Sequence, residues 1–153
     1  MKKIYIILIV IGVFAIGGVA TALYILNEPV GNTKNKDAVA SLTMDSLAYQ
    51  FKADLNGSKA KYSQKGTEAN YLNLTGKLGK MEKDARGIPS LFFTSGDVEI
   101  QVSLQEDQAK AAESLKVGDE VKLKAKFNTA GEDEFGDAAI SVQLNLGYIV
   151  KEF

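Results

Sequence analysis

Two alternating runs joined by a short helix-forming stretch constrain this chain most. Val98, Ile100, Val102 and Leu104 alternate with Glu99, Gln101 and Ser103. Val121, Leu123, Ala125 and Phe127 alternate in the same way with Lys122, Lys124 and Lys126. Each run has the period of two that makes a strand apolar on one face and wet on the other. Between them, Gln105 to Leu115 switches to helix formers such as Glu106, Ala109, Lys110, Ala111 and Ala112, and Val117-Gly118-Asp119 supplies a turn. A short helix between the third and fourth of five strands predicts a small closed barrel.

The other strands fall into place around this pair. Leu72, Leu74, Gly76 and Leu78 alternate with Tyr71, Asn73, Thr75 and Lys77 to make the first strand. Gly76 and Gly79 mark a bulge or sharp bend there, and Met81 is out of parity with Leu78. A barrel this small requires its first strand to bend so that it pairs on both sides. Asp84-Ala85-Arg86-Gly87 turns the chain into a second strand from Pro89 to Thr94, and Ser95-Gly96-Asp97 makes a tight hairpin. Asn128 to Asp137 reads as a loop, and Ile140, Val142, Leu144, Leu146, Tyr148 and Val150 form the inward set of the fifth strand. The fold expected is mainly β, a five-stranded OB-fold barrel with a helix between strands three and four.

An amphipathic helix precedes the barrel. Thr43 suits an N-cap, Asp45 suits the first turn, and Met44, Leu47, Ala48, Phe51 and Leu55 share one helical face. Asn56-Gly57 ends this helix or breaks it before Ser58 to Tyr62. Its apolar face is expected to pack on the barrel; docking on a partner is the alternative.

Met1-Lys2-Lys3 precedes Ile4 to Leu26, a run of 23 residues without a charge. At ~1.5 Å per residue it is long enough to cross a hydrocarbon core of ~30 Å. Lys2 and Lys3 are expected to stay in the cytoplasm, which exports the rest of the chain. The organisation expected is a signal anchor or transmembrane helix over 1–26, a tether over 27–40 and the barrel with its packing helix over 41–153. The location expected is the inner membrane, single-pass. Ala20-Thr21-Ala22 also resembles a cleavage site, and cleavage after Ala22 would release the domain as a secreted or periplasmic protein.

Composition excludes several chemistries. The chain has no Cys, no His and no Trp. The usual zinc sites, thiol nucleophiles and Ser–His or Cys–His pairs are thereby removed, and no Cys can be acylated. Residues 66–153 carry ten basic against fifteen acidic residues, the wrong sign for a barrel whose main partner is a polyphosphate. No catalytic constellation is present, so no enzyme, cofactor or metal is expected.

The helix ending near Asn56, Ala60-x-Tyr62, Leu74-Thr75-Gly76-Lys77, Leu115-x-x-Gly118-Asp119-x-Val121 and Val142-x-Leu144 together resemble the tRNA-anti-like OB-fold family. The resemblance covers about residues 41–151. It implies an exported bacterial protein, often a lipoprotein; here, with no Cys, the membrane helix would do the anchoring. The nucleic-acid binding implied by the family name follows from analogy of fold alone.

Three surfaces are candidate sites. An OB-fold binds single strands with stacked aromatics beside a basic groove on strands two and three. Here the outward parity offers Phe92 beside Glu99, Gln101 and Ser103, which suits nucleic acid poorly. Lys122, Lys124 and Lys126 form a basic row on strand four, and solvated lysines that guard against strand pairing are the plainer explanation. Glu132, Asp133 and Glu134 lie between strands four and five, where carboxylates could attract a cation or a basic peptide. Their spacing is not that of a calcium loop, and a solvated turn is the simpler alternative. The function expected is a non-catalytic, membrane-tethered binding or interaction module of the cell envelope, with an envelope protein as partner. An exported binder of nucleic acid or oligosaccharide is the alternative.

Overall fold

The computed structural model describes residues 33–63, 71–134 and 136–150. The expected membrane segment, residues 4–26, lies outside them. Among the described residues no helix is long and apolar enough to cross a membrane.

The elements run β1 (Ala40–Thr43), α1 (Met44–Ala53), α2 (Leu55–Tyr62), β2 (Tyr71–Lys77), β3 (Lys80–Lys83), β4 (Pro89–Ser95), β5 (Val98–Leu104), α3 (Ala109–Ala112), β6 (Glu120–Glu132) and β7 (Ile140–Ile149). Along the sheet the strand order is β1-β2-β6-β7-β5-β4-β3. The expected first strand is β2 and β3 together, bent at the glycines. Leu78 still bonds toward β6, its amide donating to the Asp119 carbonyl and its carbonyl accepting from Gly118. One residue later the Gly79 amide donates to the Phe92 carbonyl on β4. That change of partner closes the sheet into an OB-like barrel. β5 and β7 pair in parallel, and the other barrel ladders are antiparallel.

The inward residues follow the expected alternation. Leu72, Leu74, Leu91, Phe93, Ile100, Val102, Leu123, Ala125, Val142 and Leu144 form one buried cluster. α1 completes it. Thr43 caps the helix by accepting the Ser46 amide, and Met44, Leu47, Ala48 and Phe51 are all buried in the barrel's own core. The apolar face therefore packs on the barrel, as expected from its spacing. Phe51 stacks on Phe127 with ring centroids 5.7 Å apart, and Tyr62 of α2 lies 5.9 Å from Phe51. Met44 also explains why residue 76 is glycine: a Cβ there would stand 2.4 Å from the Met44 Cγ.

Several local expectations are corrected. The helix breaks at Asp54 rather than at Asn56-Gly57, because the Asp54 carboxylate caps a second helix through the Gly57 amide. Gln105 to Leu115 is not one helix but a 3-10 turn, Glu106–Gln108, followed by the four-residue α3. Gln108 is drawn down to the barrel, where its Oε1 accepts the Ile149 amide. Asn128 to Asp137 is not all loop. β6 continues to Glu132, with Thr129, Ala130, Gly131 and Glu132 paired to Gln143, Val142, Ser141 and Ile140. The inward set of β7 also changes after Leu144. Leu146 has φ 53°, Gly147 takes the buried position beside Val102 and Leu104, and Tyr148 is paired across from Lys124.

Two features have no counterpart in the expected five strands. β1 pairs in parallel with β2, Ala40 opposite Leu72 and Thr43 opposite Thr75. Before it, within the stretch expected as tether, Thr33–Asn35 forms a 3-10 turn with Thr33 buried.

Candidate functional site

The first candidate surface is the outer wall of β3, β4, β5 and β7. Cross-strand partners share a face, so the register sorts its side chains into rows. Lys80, Phe92, Gln101 and Gln143 make one row, and Glu82, Ser90 and Ser103 flank it on one side. Thr94, Glu99 and Ser141 flank it on the other. Phe92 is half-buried, and the Lys80 ammonium lies 5.4 Å from its ring centroid. Lys80 is also paired with Glu82, whose carboxylate raises the lysine's pKa. Ser90 and Ser103 hydroxyls meet at 3.2 Å. These rows thus hold one aromatic ring set among amides and hydroxyls, with one cation and two carboxylates. Phe92, Glu99, Gln101 and Ser103 stand where the alternation placed them. Lys80 and Gln143 were not singled out. Counting parity from the bend at Gly79 would have put Lys80 on this wall, whereas Gln143 needed the parallel β5–β7 register.

The basic row lies elsewhere. Lys122, Lys124 and Lys126 project from the outer face of β6, which pairs with β2 and β7 and shares no ladder with β4 or β5. Lys124 is engaged by its own chain: its ammonium donates to the backbone carbonyls of Lys36 at 2.7 Å and Lys34 at 3.3 Å. The lysine thereby clasps the 3-10 turn and the residues after it to the barrel wall.

The acidic stretch borders a groove. Glu132 ends β6, and Asp133 turns the chain by accepting the Gly136 amide at 2.8 Å. Glu132, Asp133 and Glu134 line one side of a cavity of about 510 Å3, with Leu55, Lys52, Phe51, Ala139 and Ile140 forming the rest. A second, smaller groove of about 270 Å3 runs between α1 and the β4–β5 turn, edged by the exposed Tyr49. Lys52 lines both. Among the described residues no group of three His, Cys, Asp or Glu side chains is gathered to hold a metal. The three acidic residues are therefore brought together along a groove wall.

The class of protein these features define is an OB-like barrel carrying an N-terminal helical cap. No family model matches the chain, and no curated protein matches it. Solved structures do. A Klebsiella pneumoniae lipoprotein to which nucleic-acid binding has been ascribed is similar over 72% of this chain and 91% of its own, with a TM-score of 0.53 at 11% identity. DNA binding domain A of Saccharomyces cerevisiae Replication Protein A is similar over 61% of this chain and 92% of its own, with a TM-score of 0.38 at 22% identity. Rim1, the mitochondrial single-stranded DNA binding protein of S. cerevisiae, is similar over 55% and 96%, with a TM-score of 0.34 at 16% identity. At 11% identity the likeness to the Klebsiella lipoprotein is one of fold alone.

Proposed function

We propose that this chain is a non-catalytic, membrane-tethered OB-fold binding module of the bacterial cell envelope. On this reading residues 4–26 form a single-pass anchor in the inner membrane, the barrel lies on the extracytoplasmic side, and the tRNA-anti-like family is its kin. One observation carries the choice of module over nucleic-acid binder. The strand register separates Phe92 on β4 from Lys122, Lys124 and Lys126 on β6, and Lys124 already holds the Lys34 and Lys36 carbonyls. A single-strand groove needs several rings beside a row of available cations, whereas Phe92 has only Lys80, itself paired with Glu82, and Tyr148 has Lys124, itself held by carbonyls. A wall of amides, hydroxyls and one ring suits an envelope protein instead.

A second reading has its own support. An exported binder of nucleic acid or oligosaccharide would use Phe92 as a platform with Gln101 and Gln143 as hydrogen-bonding groups beside it. The ascribed activity of the Klebsiella lipoprotein points the same way.

The test is a crosslinking pull-down of the full chain from intact cells, together with retention of the detergent-solubilised chain on single-stranded DNA and heparin. The proposed reading expects a discrete envelope protein to be captured and the chain to pass through both columns. Retention that falls steeply with salt and drops in Lys122→Glu would overturn it in favour of nucleic acid. Recovery of the chain in the soluble fraction, without detergent, would remove the anchor.

A further inference from the structure

From Lys122 to Lys126 the outer wall of β6 is basic, beyond Glu120 on the same face, on a barrel whose remaining charge is mostly acidic. Lys122, Lys124 and Lys126 share this wall, and Lys36 is held against it through its carbonyl. The ladder neighbours of the three β6 lysines are Thr75, Asn73 and Tyr71 on one side and Tyr148 and Asn145 on the other. No carboxylate stands across from any of them.

This wall is also where the chain arrives. The 3-10 turn begins at Thr33, which is buried, and Lys124 fastens the residues that follow. Only residues 27–32 separate Thr33 from the end of the apolar run at Leu26. Fully extended, at no more than ~3.6 Å per residue, they span on the order of 20 Å. Thr33 is therefore within about that length of chain from the end of the apolar run.

We propose that the β6 wall, with Lys36, Lys122 and Lys126 around the Lys124 clasp, lies against the headgroups of anionic phospholipids in the anchoring membrane. The inference rests on the anchored reading above. Lysines near a negatively charged leaflet are attracted to it, while the acidic remainder of the barrel is repelled, so the charge pattern selects one orientation. Tyr148, half-buried beside Lys124, sets a phenol where aromatic rings favour the interface. The attraction acts within a Debye length, ~10 Å at 0.1 M salt, which a six-residue leash permits and a long flexible one would not enforce. The β3–β4–β5 wall is then turned outward and remains open to a partner.

The chain has no native Cys, so single reporters can be placed freely. Thr75→Cys lies opposite Lys122, and Gln101→Cys lies on the β4–β5 wall. Each full-length variant is labelled with a fluorophore and reconstituted into vesicles containing a headgroup-attached quencher. In mixed phosphatidylglycerol–phosphatidylcholine vesicles the Thr75 reporter should be quenched severalfold more than the Gln101 reporter. The contrast should fade at high salt, in pure phosphatidylcholine, and in the Lys122→Glu, Lys126→Glu background. The lipid and salt arms use the unaltered lysines, so they stand even where the double variant fails to fold. Equal quenching at both sites, with the chain still in the vesicle pellet after an alkaline wash, overturns the inference alone. Loss of the chain from the pellet overturns the anchored reading and this inference with it.

Discussion

Lys52 on α1 and Asp97 in the β4–β5 turn meet at 2.7 Å, forty-five residues apart in sequence. The backbone carbonyl of the same Asp97 accepts the amides of Ala139 and Ile140, just before and at the start of β7. One residue thus joins the helical cap, the β4–β5 hairpin and the β6–β7 hairpin at the rim where both grooves open.

This junction sets a pH dependence. The Lys52 ammonium, bonded to the Asp97 carboxylate, holds its pKa below the ordinary value, and the Ile88 and Arg86 amides do the same for Asp84. A carboxyl whose pKa is depressed by folding stabilises the fold above its unfolded value and loses that contribution as pH falls through the folded one. Asp97→Asn should therefore lower Tm at neutral pH and match the parent chain once the pH is below the depressed value. Both partners are well exposed, with 60% and 47% of their side-chain surface accessible, so the shift should be small and should shrink in salt. Thermal melts of the two proteins across the acid range check it.

Gly76→Ala should destabilise by about 1–3 kcal/mol, because the new methyl meets Met44 Cγ and Cβ and the Phe93 ring where β2 bends under α1. In a double-mutant cycle with Met44→Ala part of that loss should be recovered as a favourable coupling, since the Met44 Cγ at 2.4 Å leaves while its Cβ at 2.9 Å stays. Urea denaturation of the single and double variants measures the recovery.

Phe51→Ala should cost about 3–5 kcal/mol, the range for emptying a buried aromatic site. Its stacking on Phe127 should appear as a coupling of about 0.5–1.5 kcal/mol in a double-mutant cycle with Phe127→Leu. An additive cycle would mean that Phe51 acts only through buried area.

Lys124→Met removes the donor that serves two backbone carbonyls. The clasp should lose on the order of 1.5–3 kcal/mol, the usual range for bonds to a charged group. Trypsin should then cut after Lys34 and Lys36 faster than in the parent chain, while the far-UV spectrum of the barrel is retained. Unchanged cleavage would mean that β1 and Thr33 hold the segment without the lysine.

Much of this architecture is written in local patterns. The period of two in 98–104 and 121–127 identifies β5 and most of β6, since the alternation records directly which side chains are kept from water. The spacing of Met44, Leu47, Ala48 and Phe51 identifies the buried face of α1, and Gly76 and Gly79 announce the bend that closes the sheet. Asn128-Thr129-Ala130-Gly131-Glu132 has the composition of a turn, so only pairing with Ile140–Gln143 makes it strand. The reversal of β7 after Leu144 is equally invisible, because it depends on the close approach of Gly147 to Val102 and Leu104.

Which residues are apolar, in what period, and where the backbone can bend are properties of neighbours along the chain, and they can be read before any fold is known. Which wall each surface residue occupies follows instead from how the strands pair. Alternation marks Phe92 and the Lys122–Lys126 row alike as outward, and only the ladders set β4 and β6 apart, with β5 and β7 between them. Lys124 looks like a solvent-facing cation until the chain ninety residues earlier folds back and offers it two carbonyls. Such long-range pairings arise from closure of the barrel, a constraint on the whole sheet that no short stretch carries.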